Sequence, residues 1–125
     1  MLLAYNYLYF NNPIYFVPER VIKETRILAA DEIIDISVTQ VPISSGIPHG
    51  VRYSFNYRVR TSDGWRTLIR FDNAHVIKGH CKRDHKHIFE NDAQEIEFNS
   101  PKELINELMS LIENNRRKID EIKRR

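Results

Sequence analysis

The stretch VRYSFNYRVRTSDGWRTLIRFDN, residues 51–73, decides the fold of this chain. Apolar and polar residues alternate through its first ten positions, a period of two that is typical of a strand with one buried face. Asp63-Gly64 then predicts a tight turn, because both residue types tolerate positive φ. The run WRTLIRFDN returns as a second β-like segment. The stretch therefore predicts an antiparallel hairpin over residues 51–72.

The two sides of this hairpin have different predicted roles. We expect Trp65 and Phe71 to lie on its buried face as core residues, since large aromatic side chains dominate cores. The hairpin also gathers cationic side chains into one small region, and these are Arg58, Arg60, Arg66 and Arg70.

Further patterns flank the hairpin on both sides. The β-branched run at 33–41 predicts a strand, and HKHIF and QEIEF, separated by Asn91-Asp92, predict two short ones. Ser100 followed by Pro101 begins a capped helix whose apolar residues recur at helical spacing. The prediction is an α+β fold, with a mainly antiparallel sheet of about five strands and a C-terminal helix packed on one face.

The length of 125 residues suits one domain, 1–125. We divide it into an aromatic N-terminal extension (1–23), a mainly β part (24–98) and a C-terminal helix (99–125). Six of the thirteen aromatic residues precede position 17. We expect them to pack on the sheet, while an added edge strand or a homo-oligomer formed through this segment is the alternative.

Composition limits the classes of protein to consider. Hydrophobic content of 42% and charged content of 29% are ordinary for a globular domain, and no apolar run is long enough to span a membrane. The start of the chain lacks the basic region and cleavage site of a signal peptide. One cysteine excludes an internal disulfide and is compatible with the cytoplasm, where we expect the protein to act. No Gly-rich phosphate loop or CxxC pair is present, so no cofactor is expected.

Charge is strongly segregated along the chain. Residues 51–87 carry nine Lys and Arg against three acidic residues, whereas 88–113 carry one Lys against seven acidic residues. Such a domain presents one surface suited to an anion such as RNA and another suited to a basic partner. A solvated surface without a specific partner is the simpler interpretation of the same pattern.

The stretch RFDNAHVIKGHCKRDHKH, residues 70–87, contains four of the five histidines. On a strand, His85 and His87 would project from one face with Cα atoms about 6.6 Å apart. Two imidazoles at that separation can flank one phosphate, and imidazole titrates near neutrality. One would deprotonate the 2′-hydroxyl of RNA and the other would protonate the departing 5′ oxygen. The pair therefore leads to the hypothesis of a metal-independent endoribonuclease.

Charged neighbours would support this chemistry. Arg70 would contact the phosphate, because a guanidinium balances charge that develops on phosphoryl oxygens. Asp72 and Asp84 would position the imidazoles, as carboxylates do in catalytic triads. We expect the wider nucleic-acid contacts to come from Arg58, Arg60, Arg66, Lys82, Arg83 and Lys86.

Two alternatives remain open at this point. His85 and His87 could hold a metal with His80, Cys81, Asp72 or Asp84, as in a metal-dependent nuclease. The spacing matches no zinc-finger pattern, however, and the neighbouring cations would repel a divalent ion. The basic hairpin could instead bind RNA, DNA or an acidic partner without catalysis. His49 is expected to be an ordinary loop residue, and His75 and His80 are either substrate contacts or without a role.

The order of these features resembles the TumE family, the toxin half of bacterial and archaeal toxin–antitoxin modules, over roughly residues 24–113. The similarity is carried by an R-[FY]-D-N motif, here residues 70–73, and a D-H-x-H motif, here residues 84–87. The resemblance implies a growth-inhibiting toxin neutralised by a small antitoxin, usually a helix-turn-helix protein. Many small toxins are ribonucleases, and this analogy adds to the hypothesis drawn from the histidines.

Overall fold

The computed structural model describes residues 21–74 and 83–125. They form one antiparallel sheet whose six strands are neighbours in sequence order, followed by two helices. The α+β prediction is confirmed, with one strand more than the five expected. The elements are β1 (Val21–Ala29), β2 (Glu32–Gln40), β3 (Val51–Thr61), β4 (Gly64–Asp72), β5 (His85–Ile88), β6 (Gln94–Glu95), α1 (Pro101–Asn114) and α2 (Arg116–Lys123).

The core lies between the helices and one face of the sheet, which we call the helix face. Tyr53, Phe55, Tyr57 and Val59 are fully or almost fully buried, in the alternation predicted for β3. They join the apolar stripe of the helices in one cluster. The opposite face, which we call the open face, carries the other half of each strand's side chains. The period of two thus decides which residues can meet a ligand outside the core.

A β-bulge in β4 changes which side chains share a face. Tyr57 pairs with Ile69 and Arg58 pairs with Thr67, so Leu68 is an extra residue without a direct partner. Trp65 consequently lies opposite Arg60, on the open face, and it is 41% exposed. The prediction of Trp65 as a core residue is wrong because it assumed unbroken alternation. Phe71 lies beyond the bulge and is fully buried, as predicted.

Other boundaries differ from the predictions by small amounts. The hairpin turn lies at Ser62-Asp63, and Gly64 already pairs with Thr61 at a φ of 109°. β1 was not predicted, and it begins at Val21, inside the segment 1–23 treated as an extension. The single C-terminal helix is divided at Asn115, while the predicted cap is present, with the Glu103 amide donating to the Ser100 hydroxyl at 3.1 Å.

Glu32 ties the sheet to the end of the chain. It is 4% exposed and accepts hydrogen bonds from Arg116, Lys123 and the Tyr57 hydroxyl. Burial by itself would raise the pKa of Glu32, but these three donors outweigh it and lower the pKa from 4.5 to about 2. A charged carboxylate is therefore built into the fold where α2 meets the sheet.

Within the described residues, no helix is both long and apolar enough to cross a membrane. Several expectations concern residues outside the described ranges: the aromatic segment before residue 17, and the loop residues His75, His80, Cys81 and Lys82.

Candidate functional site

Four of the predicted site residues lie together on the open face. Arg70 on β4 pairs with His87 on β5, and Asp72 pairs with His85 in the next register position of the same face. Strand pairing places the side chains of such partners next to each other. The two sequence motifs, separated by ten residues of chain, therefore meet across one strand boundary.

Asp72 is the centre of this group. Its carboxylate is 3.1 Å from Arg70 Nε and 3.3 Å from His85 Nε2, and it also accepts the Ala74 amide. His85 Nδ1 is 2.7 Å from the Arg83 carbonyl, which can only accept, so Nδ1 carries a hydrogen. Nε2 is therefore the ring nitrogen that faces the Asp72 carboxylate.

The two histidines differ in access to solvent. Their rings contact edge to face, with centroids 5.1 Å apart. His85 is 1% exposed, whereas His87 is only partly buried and the Arg70 side chain is 41% exposed. A molecule approaching the open face would meet His87 and Arg70 first, with His85 and Asp72 behind them.

The motif R-F-D-N divides between the two faces. Arg70 and Asp72 point to the open face, whereas Phe71 is fully buried in the core. Asn73 is also fully buried and links β4 to β3, since its amide donates to the Val51 carbonyl at 2.7 Å and accepts from the Tyr53 amide at 3.0 Å. Two residues of the motif thus build the fold and two build the candidate site.

Asp84 does not join the group around Asp72. Its carboxylate is 2.9 Å from His49 Nε2 and accepts the Tyr53 hydroxyl at 3.1 Å. Burial raises the pKa of Tyr53 far above its usual range, and the Asp84 charge adds to this, so the hydroxyl stays protonated and donates. Asp84 therefore holds His49 and Tyr53, in place of the predicted contact with His85 or His87.

His49 is more than the ordinary loop residue expected from the sequence. The Val51 amide donates to its Nδ1, which leaves Nε2–H to donate to Asp84, and its ring stacks on Phe98 at 3.9 Å between centroids. It connects the loop before β3 with β5 and the segment before α1. No local pattern could have predicted a contact between residues 35 positions apart.

The predicted nucleic-acid contacts are distributed over both faces. Arg58 and Arg60 lie on the open face, where Arg58 pairs with Asp35 at 2.7 Å and stacks over Trp65. The bulge turns Arg66 to the helix face, where it pairs with Glu90. The remaining cations are elsewhere: Lys86 binds Glu107 on α1, Arg83 packs against Gly46, and Lys82 is outside the described residues.

A shallow cavity of about 320 Å³ adjoins the group on the open face. Ser54 and Asn56 line it, and these residues pair with Asp72 and Arg70, so cavity and group share one polar surface. In residues 21–74 and 83–125, no three His, Cys, Asp or Glu side chains are arranged to hold a metal ion.

Comparison with known proteins identifies the family. A family model described as Toxin TumE matches residues 13–116. The chain belongs to the TumE toxin family. No curated protein and no solved structure matches it. The resemblance noted from the two motifs is therefore confirmed, and the chain is a toxin component whose family implies a cognate antitoxin.

The TumE match covers every strand described above and all of α1. It therefore includes the whole open-face group, from Arg70 to His87, as well as His49 and Asp84. α2 begins at Arg116, where the match ends, so among Glu32 and its three donors only Lys123 lies outside it. The candidate site lies within the residues that the family model matches.

Proposed function

We propose that this TumE toxin is a metal-independent endoribonuclease of the cytoplasm, with its reactive groups on the open face and a small helix-turn-helix protein as its antitoxin. The observation that supports this most is the pairing of Arg70 with His87 and of Asp72 with His85. It combines a proton-transfer group, a fixed cation and an orienting carboxylate, which are the parts that phosphodiester cleavage without a metal requires.

His87 is the histidine best suited to exchange protons with RNA, because it is the more exposed of the two. In the proposed reaction it takes the proton of a 2′-hydroxyl as that oxygen attacks phosphorus and the bond to the 5′ oxygen breaks. The departing 5′ oxygen takes a proton from water, and His87 returns its proton to the hydroxide so formed. Arg70 balances the charge on the phosphoryl oxygens. The products would be a 2′,3′-cyclic phosphate and a 5′-hydroxyl end.

His85 is a positioning residue in this proposal, because it acts on RNA only through His87. It is 1% exposed and held between the Arg83 carbonyl and Asp72. Its ring lies perpendicular to that of His87 and contacts it, so it fixes the orientation of that imidazole. The sequence-based hypothesis of an acid and base pair thus becomes one reactive histidine with a buried positioning histidine.

Substitution of His87 tests the proposal. His87→Ala should slow RNA cleavage by about 10²- to 10⁴-fold, the usual contribution of a general base, and should abolish growth arrest. Lys86→Gln is the matched control, because it is the next residue of β5 but binds Glu107 on the helix face. Cleavage is followed on a labelled single-stranded RNA, with circular dichroism to confirm folding. Equal cleavage by His87→Ala and the parent would overturn the assignment.

Binding of RNA without cleavage is the second candidate, and the burial of His85 favours it. A buried histidine cannot reach a leaving group, whereas Arg58 and Arg60 remain on the same face as Arg70. This candidate predicts RNA association whose log K falls against log salt by about 0.7 per neutralised phosphate, with no cleavage by the parent. His87→Ala would then bind RNA as the parent does.

A further inference from the structure

We propose that β1 is a self-association edge, through which two copies of this chain join their sheets in an antiparallel pairing centred on Thr25. β1 is the last strand on its side of the described sheet, and β2 is its neighbour there. Edge strands offer backbone donors and acceptors to another strand unless something covers them. The occupant we assign is a second copy of β1.

The side chains of β1 are unusually apolar for an exposed strand. Val21, Ile22, Ile27 and Leu28 are between 37% and 73% exposed, and they make up four of the six large exposed apolar side chains in the described part of the chain. Ile22 pairs with Val38 on the helix face, whereas Ile27 pairs with Ile33 on the open face. A partner strand would cover apolar surface on both sides.

The sequence of β1 is complementary to itself in one antiparallel register. When Thr25 faces Thr25 of the second copy, Glu24 faces Arg26, and Ile22 faces Leu28 beside the bulge that ends β1. Glu24 and Arg26 already share a face, since their side chains form an ion pair of 2.7 Å, and both are more than 40% exposed. The two copies would combine these pairs into a network of four alternating charges, each opposite its counterpart.

This register also agrees with the symmetry that such a pair requires. A twofold axis perpendicular to the sheet keeps each face on its own side, so a residue can only meet a residue of the same face. Ile22, Glu24 and Arg26 all lie on the helix face by their pairing with β2. The two open faces would then form one continuous surface on the same side of the pair.

Charge reversal tests the proposal on the purified chain, without RNA or antitoxin. The parent should sediment as a dimer at about ten micromolar concentration and above. Glu24→Arg or Arg26→Glu alone should weaken the dimer at least tenfold, about 1.4 kcal/mol over the two sites, because each places like charges opposite each other. The double variant E24R/R26E should restore it. A parent that remains monomeric, or a double variant as weak as the singles, would overturn the proposal.

Disulfide trapping tests the register itself. In a Cys81→Ser background, Thr25→Cys should form a cross-linked dimer under mild oxidation, because directly opposed Cα atoms lie about 4.5 or 5.5 Å apart. Lys23→Cys is the matched control on the same face. The proposed register places its copy four residues away, about 13 Å along the strand, where no bond can form. Equal cross-linking at both positions, or cross-linking only at position 23, would refute this pairing.

Discussion

Glu32 and Asp72 are both buried carboxylates of one sheet, but they have different kinds of neighbours. Glu32 is held by Arg116, Lys123 and Tyr57, of which two come from the C-terminal helix α2 or its start, more than 80 residues away. Asp72 is held by a histidine and a partly exposed arginine from the same region of the sheet. Both carboxylates pay for desolvation. Glu32 is enclosed by donors that join the sheet to α2, whereas Asp72 lies beside two histidines and Arg70 on the face that carries the cavity. The first therefore stabilises the fold, and the second lies at the centre of the candidate site.

The largest change in free energy is expected on substitution of Glu32, and it concerns the free energy of unfolding. Its pKa is lowered from 4.5 to about 2, which corresponds to about 3 kcal/mol of stability at neutral pH. Glu32→Gln should lower the free energy of unfolding by about that amount in urea denaturation. The control Glu113→Gln, at an exposed position of α1, should change it by less than about 0.5 kcal/mol.

The difference in unfolding free energy between the parent and Glu32→Gln should decrease as the pH falls. Because the folded pKa is depressed, the contribution is complete above pH 4.5 and is lost as pH falls towards 2, when Glu32 is protonated in the folded state too. The parent and Glu32→Gln should therefore converge in stability between these values. A gap that stays constant from pH 7 to pH 2 would contradict the role of the charge.

A change of intermediate size, here in kcat, is expected on substitution of Asp72. Asp84, which is also buried, provides the comparison. Asp72→Asn should reduce kcat for RNA cleavage by about 10- to 100-fold, because His85 Nε2 and Arg70 lose a charged partner. Asp84→Asn should leave cleavage by the folded protein unchanged, since its carboxylate holds His49 and Tyr53.

Asp72 is the last residue of β4, Asp84 immediately precedes β5, and both carboxylates are buried. A general loss of packing would therefore affect Asp72→Asn and Asp84→Asn alike. Thermal unfolding measured beside cleavage separates stability from positioning. If Asp84→Asn reduced kcat as strongly as Asp72→Asn, the distinction between these two carboxylates would be wrong.

The smallest effect is expected at Asp35, a carboxylate of the same sheet that solvent reaches. Its side chain is 40% exposed and pairs with Arg58 on the open face. Exposed ion pairs contribute little, so Asp35→Asn should lower the free energy of unfolding by less than about 1 kcal/mol in the same urea experiment. A loss of 2 kcal/mol or more would show that solvent exposure does not explain why Asp35 and Glu32 differ in their contribution to stability.

Much of this architecture could be predicted because it depends on local patterns. Alternation identified β3, and the Ser100 cap marked the start of α1, since each is decided by neighbours in sequence. β1 was missed because a strand exposed on both faces shows no alternation of burial, and its centre reads Lys-Glu-Thr-Arg. Trp65 was placed wrongly because one extra residue in β4 reverses the alternation.

The candidate site was predictable only in part for the same reason. Arg70 and Asp72, like His85 and His87, alternate within their own strands, so each motif could be assigned to one face. Which carboxylate meets which histidine depends on register between strands that are separated by a loop. The pairing of Asp84 with His49 instead of His85 is a nonlocal contact of this kind.

The bulge at Leu68 also has a consequence for comparing sequences within the family. Because Leu68 is the one residue of β4 from 64 to 72 that the register with β3 skips, a relative lacking one residue between positions 65 and 69 could pair regularly with β3. Arg66 and Arg70 would still lie on opposite faces, and the pairing of Arg70 with His87 would be untouched. A gap in an alignment at this point would thus leave the candidate site unchanged. A gap between Arg70 and Asp72, in contrast, would move one of them to the other face, away from its histidine partner.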